Sequence, residues 1–430
     1  MNENKMTPQP GTLEGALSLV RSGDTIATSI YGSEPTGFLK NLHTIAPRVH
    51  DVTLWTMLTM GRYPVMYDVS LKGHIDILTF FYNQDCRKGH ESGRYGLVPM
   101  NLHSVGMSIV AAKRPTIFVA AVSPVDEAGN VYLSFDLQAS RECMDAADTV
   151  IFEINPNIPR IYGETAIPIQ RADYTYVYSN PLPEAPVVTP TAEDTAIAEA
   201  VASLVQDGDC IQLGIGGIPN AIGLALAEKR DLGIHTEMIT ASMGHLIRVG
   251  AVTNDRKTVD RGKTVGAFAY GDLALYETLR DNDRVELRRA SYTNDPAQIA
   301  KQDNMVSVNT ALQIDLTGQI CSESIGYLQY SGTGGASDFA YGAFHSKNGR
   351  GIIAIHATTK NGTVSKIVPQ LSPGAIVSIS RNLADYVITE YGVARLRERS
   401  VRQRVENLIA IAAPEFRGEL KRQAEQMLLW

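Results

Sequence analysis

Cysteine is scarce: four residues in 430 (Cys86, Cys143, Cys210, Cys321), far apart and without CxxC or Cys/His ligand spacing. That excludes a disulfide framework and a thiolate metal site, and suits a reducing compartment. Long apolar runs are also missing. No stretch reaches the ~18 apolar residues of a membrane span, and Met1 to Gly11 holds no signal-like apolar core. The expectation is a cytoplasmic, soluble protein with no membrane partner. Positive charge is in deficit, with 39 Lys and Arg against 46 Asp and Glu. Nucleic-acid domains show a basic excess or stripe, so no nucleic-acid partner is expected. His90-Glu91 lacks the second histidine of HExxH, there is no GxSxG elbow, and the nine histidines are scattered without ligand spacing. No metal is expected.

What is present is an ordinary globular composition, 44% hydrophobic and 20% charged, over a length that exceeds one ordinary core. Apolar runs such as Thr116–Val122, Thr149–Ile154, Gly351–Ile355 and Ala375–Ile379 read as buried parallel strands, with helix-like Ser140–Ala147 between two of them. Alternation of this kind points to α/β architecture with mainly parallel sheets, whose function sits at strand carboxyl ends. An internal repeat runs at an offset of 185 residues: Ser18-Leu19-Val20-Arg21-Ser22-Gly23-Asp24-Thr25-Ile26 lies over Ser203-Leu204-Val205-Gln206-Asp207-Gly208-Asp209-Cys210-Ile211. Ile30 then matches Ile215 and Gly32 matches Gly217, while Pro35 answers Pro219 one residue out of register. The shared logic is helix, Gly-Asp turn, strand, glycine turn and new helix, as in a duplicated scaffold. Between the copies, four prolines in Tyr178–Pro190 disfavour helix and central strand. The expected organisation is a first domain over 1–180, a linker over 181–190 and a second domain over 191–430, whose first helix is capped near Thr191.

The chemistry concentrates in the second half. Cys210–Leu213 reads as a strand, and Gly214-Ile215-Gly216-Gly217-Ile218-Pro219 as a turn opening a helix. Pro219 stands where a dinucleotide fingerprint wants its third glycine, and no P-loop Lys-Ser/Thr follows. Such glycines let backbone N–H groups approach an anion, with a helix dipole at the same spot, though the pattern equally serves a ligand-free tight turn. Glu237, in His235-Thr236-Glu237-Met238, is a lone carboxylate among apolar residues. It reads as a salt-bridged strand-end group or as a nucleophile facing the turn. His235 shares its strand face in an orienting or packing role. A second glycine loop, Gln329–Phe339, offers consecutive N–H groups, and Lys360 is either an anion partner or solvated surface.

The ordered motifs GIGGIPNA, HTEM, QYSGTGGASDF, KNGTVSKIVPQL and ADYVITEYGVARLR resemble the acetyl-CoA hydrolase/transferase family of class I CoA-transferases, closest to those acting on 4-hydroxybutyrate and butyryl-CoA. Val122–Gly129 and Glu153–Arg160 join in, so the likeness covers nearly the whole chain. The resemblance implies two tandem open α/β domains with the active site at the domain interface. It implies Glu237 as the nucleophile that forms a glutamyl-CoA thioester, and Gly214, Ile215, Gly216, Gly217 and Ile218 as a cradle for the CoA thioester and its oxyanion. Gly335 and Lys360 match CoA-binding positions, and Ser331 a further contact where some members carry asparagine. No tightly bound cofactor is implied: coenzyme A arrives as acyl-CoA substrate, with a short-chain carboxylate as co-substrate, in a homodimer or higher homo-oligomer.

Two departures stand out. An Asp-Gly pair expected soon after the glutamate is replaced by Met238-Ile239-Thr240-Ala241-Ser242-Met243-Gly244, and the first-half loop Ser29-Ile30-Tyr31-Gly32-Ser33-Glu34-Pro35 is individual. The expected function is ping-pong transfer of CoA between a short-chain acyl-CoA and a free carboxylate such as acetate, butyrate or 4-hydroxybutyrate. The alternatives are hydrolysis through the same glutamyl intermediate, and a non-catalytic ligand sensor, which would want a DNA-binding helix-turn-helix or basic arm.

Overall fold

A computed structural model describes Pro10–Pro186 and Val188–Leu429. The stretch before Pro10, where no leader core was read, and Val187 of the proline-rich segment lie outside the described residues. Two compact units result. One joins the chain before Pro186 to Gly266–Tyr292, and the other comprises Pro186–Val265 with the chain from Thr293 onward. The division falls inside the proline-rich stretch, whose described residues form neither helix nor strand.

The first unit is built on an eight-stranded sheet in the order Pro10–Gly11, Tyr174–Val177, Thr149–Ile154, Ile117–Val122, Thr25–Thr28, Val52–Trp55, Ile75–Thr79, Tyr95–Leu97. Every pairing is parallel. Its central strands are buried on both faces; Ile117–Val122 has no exposed position. That explains their unbroken apolar sequence. Strand order reverses at Thr25–Thr28, which pairs with the next strand on one side (Ala27↔Trp55) and a much later one on the other (Ala27↔Phe118).

The second unit carries a six-stranded sheet in the order Gly233–Ile234, Cys210–Leu213, Met305–Asn309, Arg350–Ala354, Tyr386–Thr389, Gly392–Arg395. It is parallel except for the terminal hairpin. Cys210–Leu213 again holds the reversal of strand order. It coincides residue for residue with Thr25–Thr28 at the offset of the repeat. The helix before it, Ala192–Leu204, starts from a capping box between Thr191 and Asp194. All four cysteines are free and buried. Among the described residues no helix is long and apolar enough to cross a membrane.

One expected strand is corrected. Ala375–Ile379 contributes only an isolated bridge, Ile379 to Ile320. Ser372-Pro373-Gly374 turns the chain just before it, and Ile376 and Val377 are 39% and 44% exposed. Only Ile379 of the apolar run is buried, the middle of the run lies on the surface, and Tyr386–Thr389 fills the place in the sheet.

Candidate active site

The turn after Cys210–Leu213 leaves the second sheet where strand order reverses, the usual place for a ligand in an open α/β sheet. Gly216 has φ 115° and ψ −171°, a backbone that side-chain-bearing residues avoid. The helix Gly217–Ala225 starts directly behind it, so the first N–H groups of that helix are unpaired within it. No side chain covers the turn at Gly216, where an added Cβ would meet nothing within 4 Å, and Ile215 is 54% exposed.

Gly233–Ile234 pairs with Cys210–Ile211, and His235 continues the ladder through its N–H to the Ile211 carbonyl (3.3 Å). Glu237 follows two residues later, just before the short strand Met238–Thr240. It stands in the connection between two strands and is partly buried. Asn294 Nδ2 donates to Glu237 Oε2 at 3.0 Å, and the Gly335 N–H also favours the ionised carboxylate. Asn294 is held in turn: Thr293 Oγ1 donates to its Oδ1 (3.0 Å), which aims the amide nitrogen at Glu237. His235 is fully buried, and its Nε2–H donates to the Thr293 carbonyl at 2.9 Å. That bond fixes the segment carrying Asn294, so the imidazole positions and packs.

Burial raises the Glu237 pKa to about 7; the nearby Asp338 charge adds to the rise, while Asn294 and Gly335 oppose it. A half-desolvated carboxylate with two donors on it is ionised above neutrality and poorly hydrated, which favours nucleophilic attack. Gly335 precedes the helix Ala336–His345, and its lack of a side chain is a requirement of space, because a Cβ there would overlap Glu237 Oε2 and Asn294 Nδ2.

The expected residues therefore separate. Glu237 and Gly335 touch. Gly214–Ile218 lies at the end of the strand paired with the one that leads to Glu237. Ser331 is in the same loop as Gly335, but its hydroxyl donates to the Ser322 carbonyl (2.8 Å), a bond that shapes the loop. Lys360 is exposed at the tip of the hairpin Thr358–Thr359/Val364–Ser365, with φ 50°. Sequence reasoning missed Asn294. Its partner is 57 positions away, and Thr293-Asn294-Asp295-Pro296 reads locally as no more than a turn.

Models of the acetyl-CoA hydrolase/transferase N-terminal and C-terminal domains match residues 11–188 and 271–424. The succinyl-CoA:cyclohexane-1-carboxylate CoA transferase of Geobacter metallireducens is 40% identical over 414 residues, 96% of this chain and 94% of that protein. The chain belongs to the acetyl-CoA hydrolase/transferase family. The 4-hydroxybutyrate coenzyme A transferase of Clostridium kluyveri is another relative, 38% identical over 95% of each chain. Among solved structures, RipA from Yersinia pestis matches with a TM-score of 0.92 at 36% identity, over 98% of both chains. The open turn and the bracketed Glu237 both lie on the second unit.

Proposed function

We propose that the chain is a CoA-transferase that moves CoA between a short-chain acyl-CoA and a free carboxylate, with Glu237 as covalent nucleophile. The observation that carries this is the carboxylate itself: partly desolvated, its pKa raised to about 7, and held by Asn294 and the Gly335 N–H in a chain of this family. Ionised Glu237 attacks the acyl carbonyl carbon; the C–S bond breaks and CoA leaves as thiolate, giving an acyl-glutamyl anhydride. The thiolate then attacks the glutamyl carbonyl, the anhydride C–O bond breaks, and the free carboxylate departs from a glutamyl-CoA thioester. An acceptor carboxylate runs both steps in reverse.

Each tetrahedral intermediate carries an oxyanion that needs fixed donors, and losing one donor typically costs about 10²–10³ in rate. The N–H groups of Gly214–Ile218 serve this role, with Gly335 beside the nucleophile. Ser331 shapes the loop that presents Gly335, and Lys360 meets an anionic part of CoA. No step asks for a tightly bound cofactor. The same reading takes the protein as a cytoplasmic homodimer or higher homo-oligomer.

Trapping tests the proposal. After incubation with butyryl-CoA and borohydride reduction, mass spectrometry is expected to find the modification on Glu237, with butyrate already released. Acetate added before the reductant is expected to take the CoA from Glu237 as acetyl-CoA. CoA release that is independent of any carboxylate acceptor would turn the reading to a hydrolase. An unmodified Glu237 in a turning-over enzyme would overturn it.

A further inference from the structure

Behind the open turn lies a carboxylate that the reaction just described does not use. Asp194 is buried, its side chain 5% exposed. Oδ2 accepts the Thr191 N–H at 2.9 Å and stands 2.9 Å from the point where a Cβ on Gly217 would fall. Oδ1 accepts from His356 Nε2 at 2.9 Å. His356 follows the strand Arg350–Ala354 in the same sheet, and its side chain is 39% exposed. One carboxylate thus ties together the start of the helix Ala192–Leu204, the loop after Arg350–Ala354 and the first residue of the helix Gly217–Ala225.

A buried negative charge beside Gly217, at the start of that helix, lowers the positive potential that the turn and helix start offer an oxyanion. His356 Nε2–H is the side-chain donor bonded to that carboxylate and draws its charge away from Gly217. Glu193, exposed beside the imidazole, is a further charge facing it. We propose that Asp194 and His356 are positioning residues for the Gly214–Ile218 turn: the carboxylate braces Gly217 from behind, and the imidazole holds the carboxylate and offsets its charge. The inference rests on the reading of that turn as the oxyanion cradle.

The test compares His356→Ala, His356→Gln and the double variant His356→Ala/Asp194→Asn, with Glu237→Gln alongside. Readouts are kcat, kcat/KM for acyl-CoA and thermal melting. His356→Ala is expected to lower kcat and kcat/KM together by about tenfold or more, a fraction of the loss of an oxyanion donor, with melting lowered because the buried Asp194 loses one of its two partners. His356→Gln, which keeps a donor for Asp194, is expected to regain most of it. Removing the uncompensated charge in the double variant is expected to make it faster per folded molecule than His356→Ala alone, whereas a pair that only holds the fold would restore melting and leave kcat per folded molecule unchanged. A His356→Ala enzyme within twofold of wild type overturns the proposal, as does a double variant slower than the single one. An active Glu237→Gln enzyme overturns the glutamyl mechanism instead, so the two failures are distinct.

Discussion

The two copies of the strand–turn–helix unit share the strand and a positive-φ residue after it. The first goes on through a 3-10 turn at Tyr31–Ser33 to a helix at Thr36, while the second enters its helix directly at Gly217, and they differ in what covers the turn. At equivalent repeat positions, Tyr31 and Gly216 both have positive φ, 54° and 115°. A tyrosine in that region is strained and persists only where its surroundings fix it. Tyr31 is fixed: its ring is 2% exposed, stacks on Phe268 at 4.8 Å with planes 7° apart, and lies 5.3 Å from Tyr270. Gly32 behind it leaves room for the Phe135 ring, and Ser33 and Glu34 are buried too. The first turn is therefore filled by its own protein, whereas the second has a glycine at the strained position and uncovered N–H groups. The buried carboxylates differ in the same way. Glu153 accepts from the Gly37 and Phe38 N–H groups at the start of the helix Thr36–Asn41 and from the Tyr176 hydroxyl. Internal donors occupy it, as a cap. The two turns hold equivalent places in the repeat, and aromatic packing fills one of them.

The sharpest way to break this comparison is through the two carboxylates, since Glu153 and Glu237 are both raised to about 7, each chiefly by burial. A shifted pKa alone does not identify a nucleophile. Glu237→Gln is expected to lose at least about 10³ in kcat, while Glu153→Gln keeps kcat within severalfold. Steady-state assays check both, and comparable losses would erase the distinction. Glu153→Gln has its own signature in stability. Its folded pKa lies above the unfolded value near 4.5, so its contribution is full below that value and is lost as pH rises through about 7. Urea midpoints across pH 4.5–7 are expected to fall less steeply in the variant.

The turns themselves give the next effect. Gly216→Ala meets no side chain but forces alanine into φ 115°, so the turn re-forms with its N–H groups displaced. A loss of about 10²-fold in kcat is expected, with a small change in melting. Gly32→Ala drives a methyl group into the Phe135 ring and is expected to cost about 1–3 kcal/mol of stability by overpacking, with kcat retained in the folded fraction. If Gly32→Ala lowers kcat as much as Gly216→Ala does, the first turn is not merely filled.

A smaller, more diagnostic effect comes from pH. With the Glu237 pKa at about 7, kcat/KM is expected to rise with pH through neutrality, because the ionised form attacks. Asn294 stabilises that form, so Asn294→Ala is expected to move the acid limb upward by about one unit, the worth of one charge-assisted bond. A limb that stays in place would show that Asn294 does not set the ionisation of Glu237.

Much of the fold is legible in the sequence. The Gly-Asp turns, the strands Thr25–Thr28 and Cys210–Leu213 and the helix cap at Thr191 follow from short-range chemistry, and short-range chemistry is written locally. Ala375–Ile379 misled because an apolar run states hydrophobicity without stating which face is covered; a Ser-Pro-Gly turn placed it outside. Asn294 and the Asp194–His356 pair were illegible for a different reason. Their partners are 57 and 162 positions away, at 3.0 and 2.9 Å, and only the sheet order brings those segments together. Gly217 and Gly335 were visible as glycines, but the reason each must be one, a carboxylate filling the space a Cβ would need, is a tertiary fact.

The weakest expected effect concerns Lys360, and it asks whether the open turn extends its reach through charge. Lys360 and Asn361 sit in left-handed backbone at φ 50° and 55°, so the hairpin tip has a defined shape. An exposed ammonium there binds an anion only as a point charge in high dielectric. Lys360→Ala is expected to raise KM for acyl-CoA about threefold and leave kcat unchanged, and the difference is expected to shrink in about 0.5 M salt as screening shortens its range. Lys360→Gly separates charge from shape, since glycine adopts the turn without strain. If both variants raise KM alike, the charge is what matters; if only alanine does, the tip acts through its backbone. A fall in kcat in both would carry Lys360 to the reacting centre and extend the second turn's advantage beyond its own N–H groups.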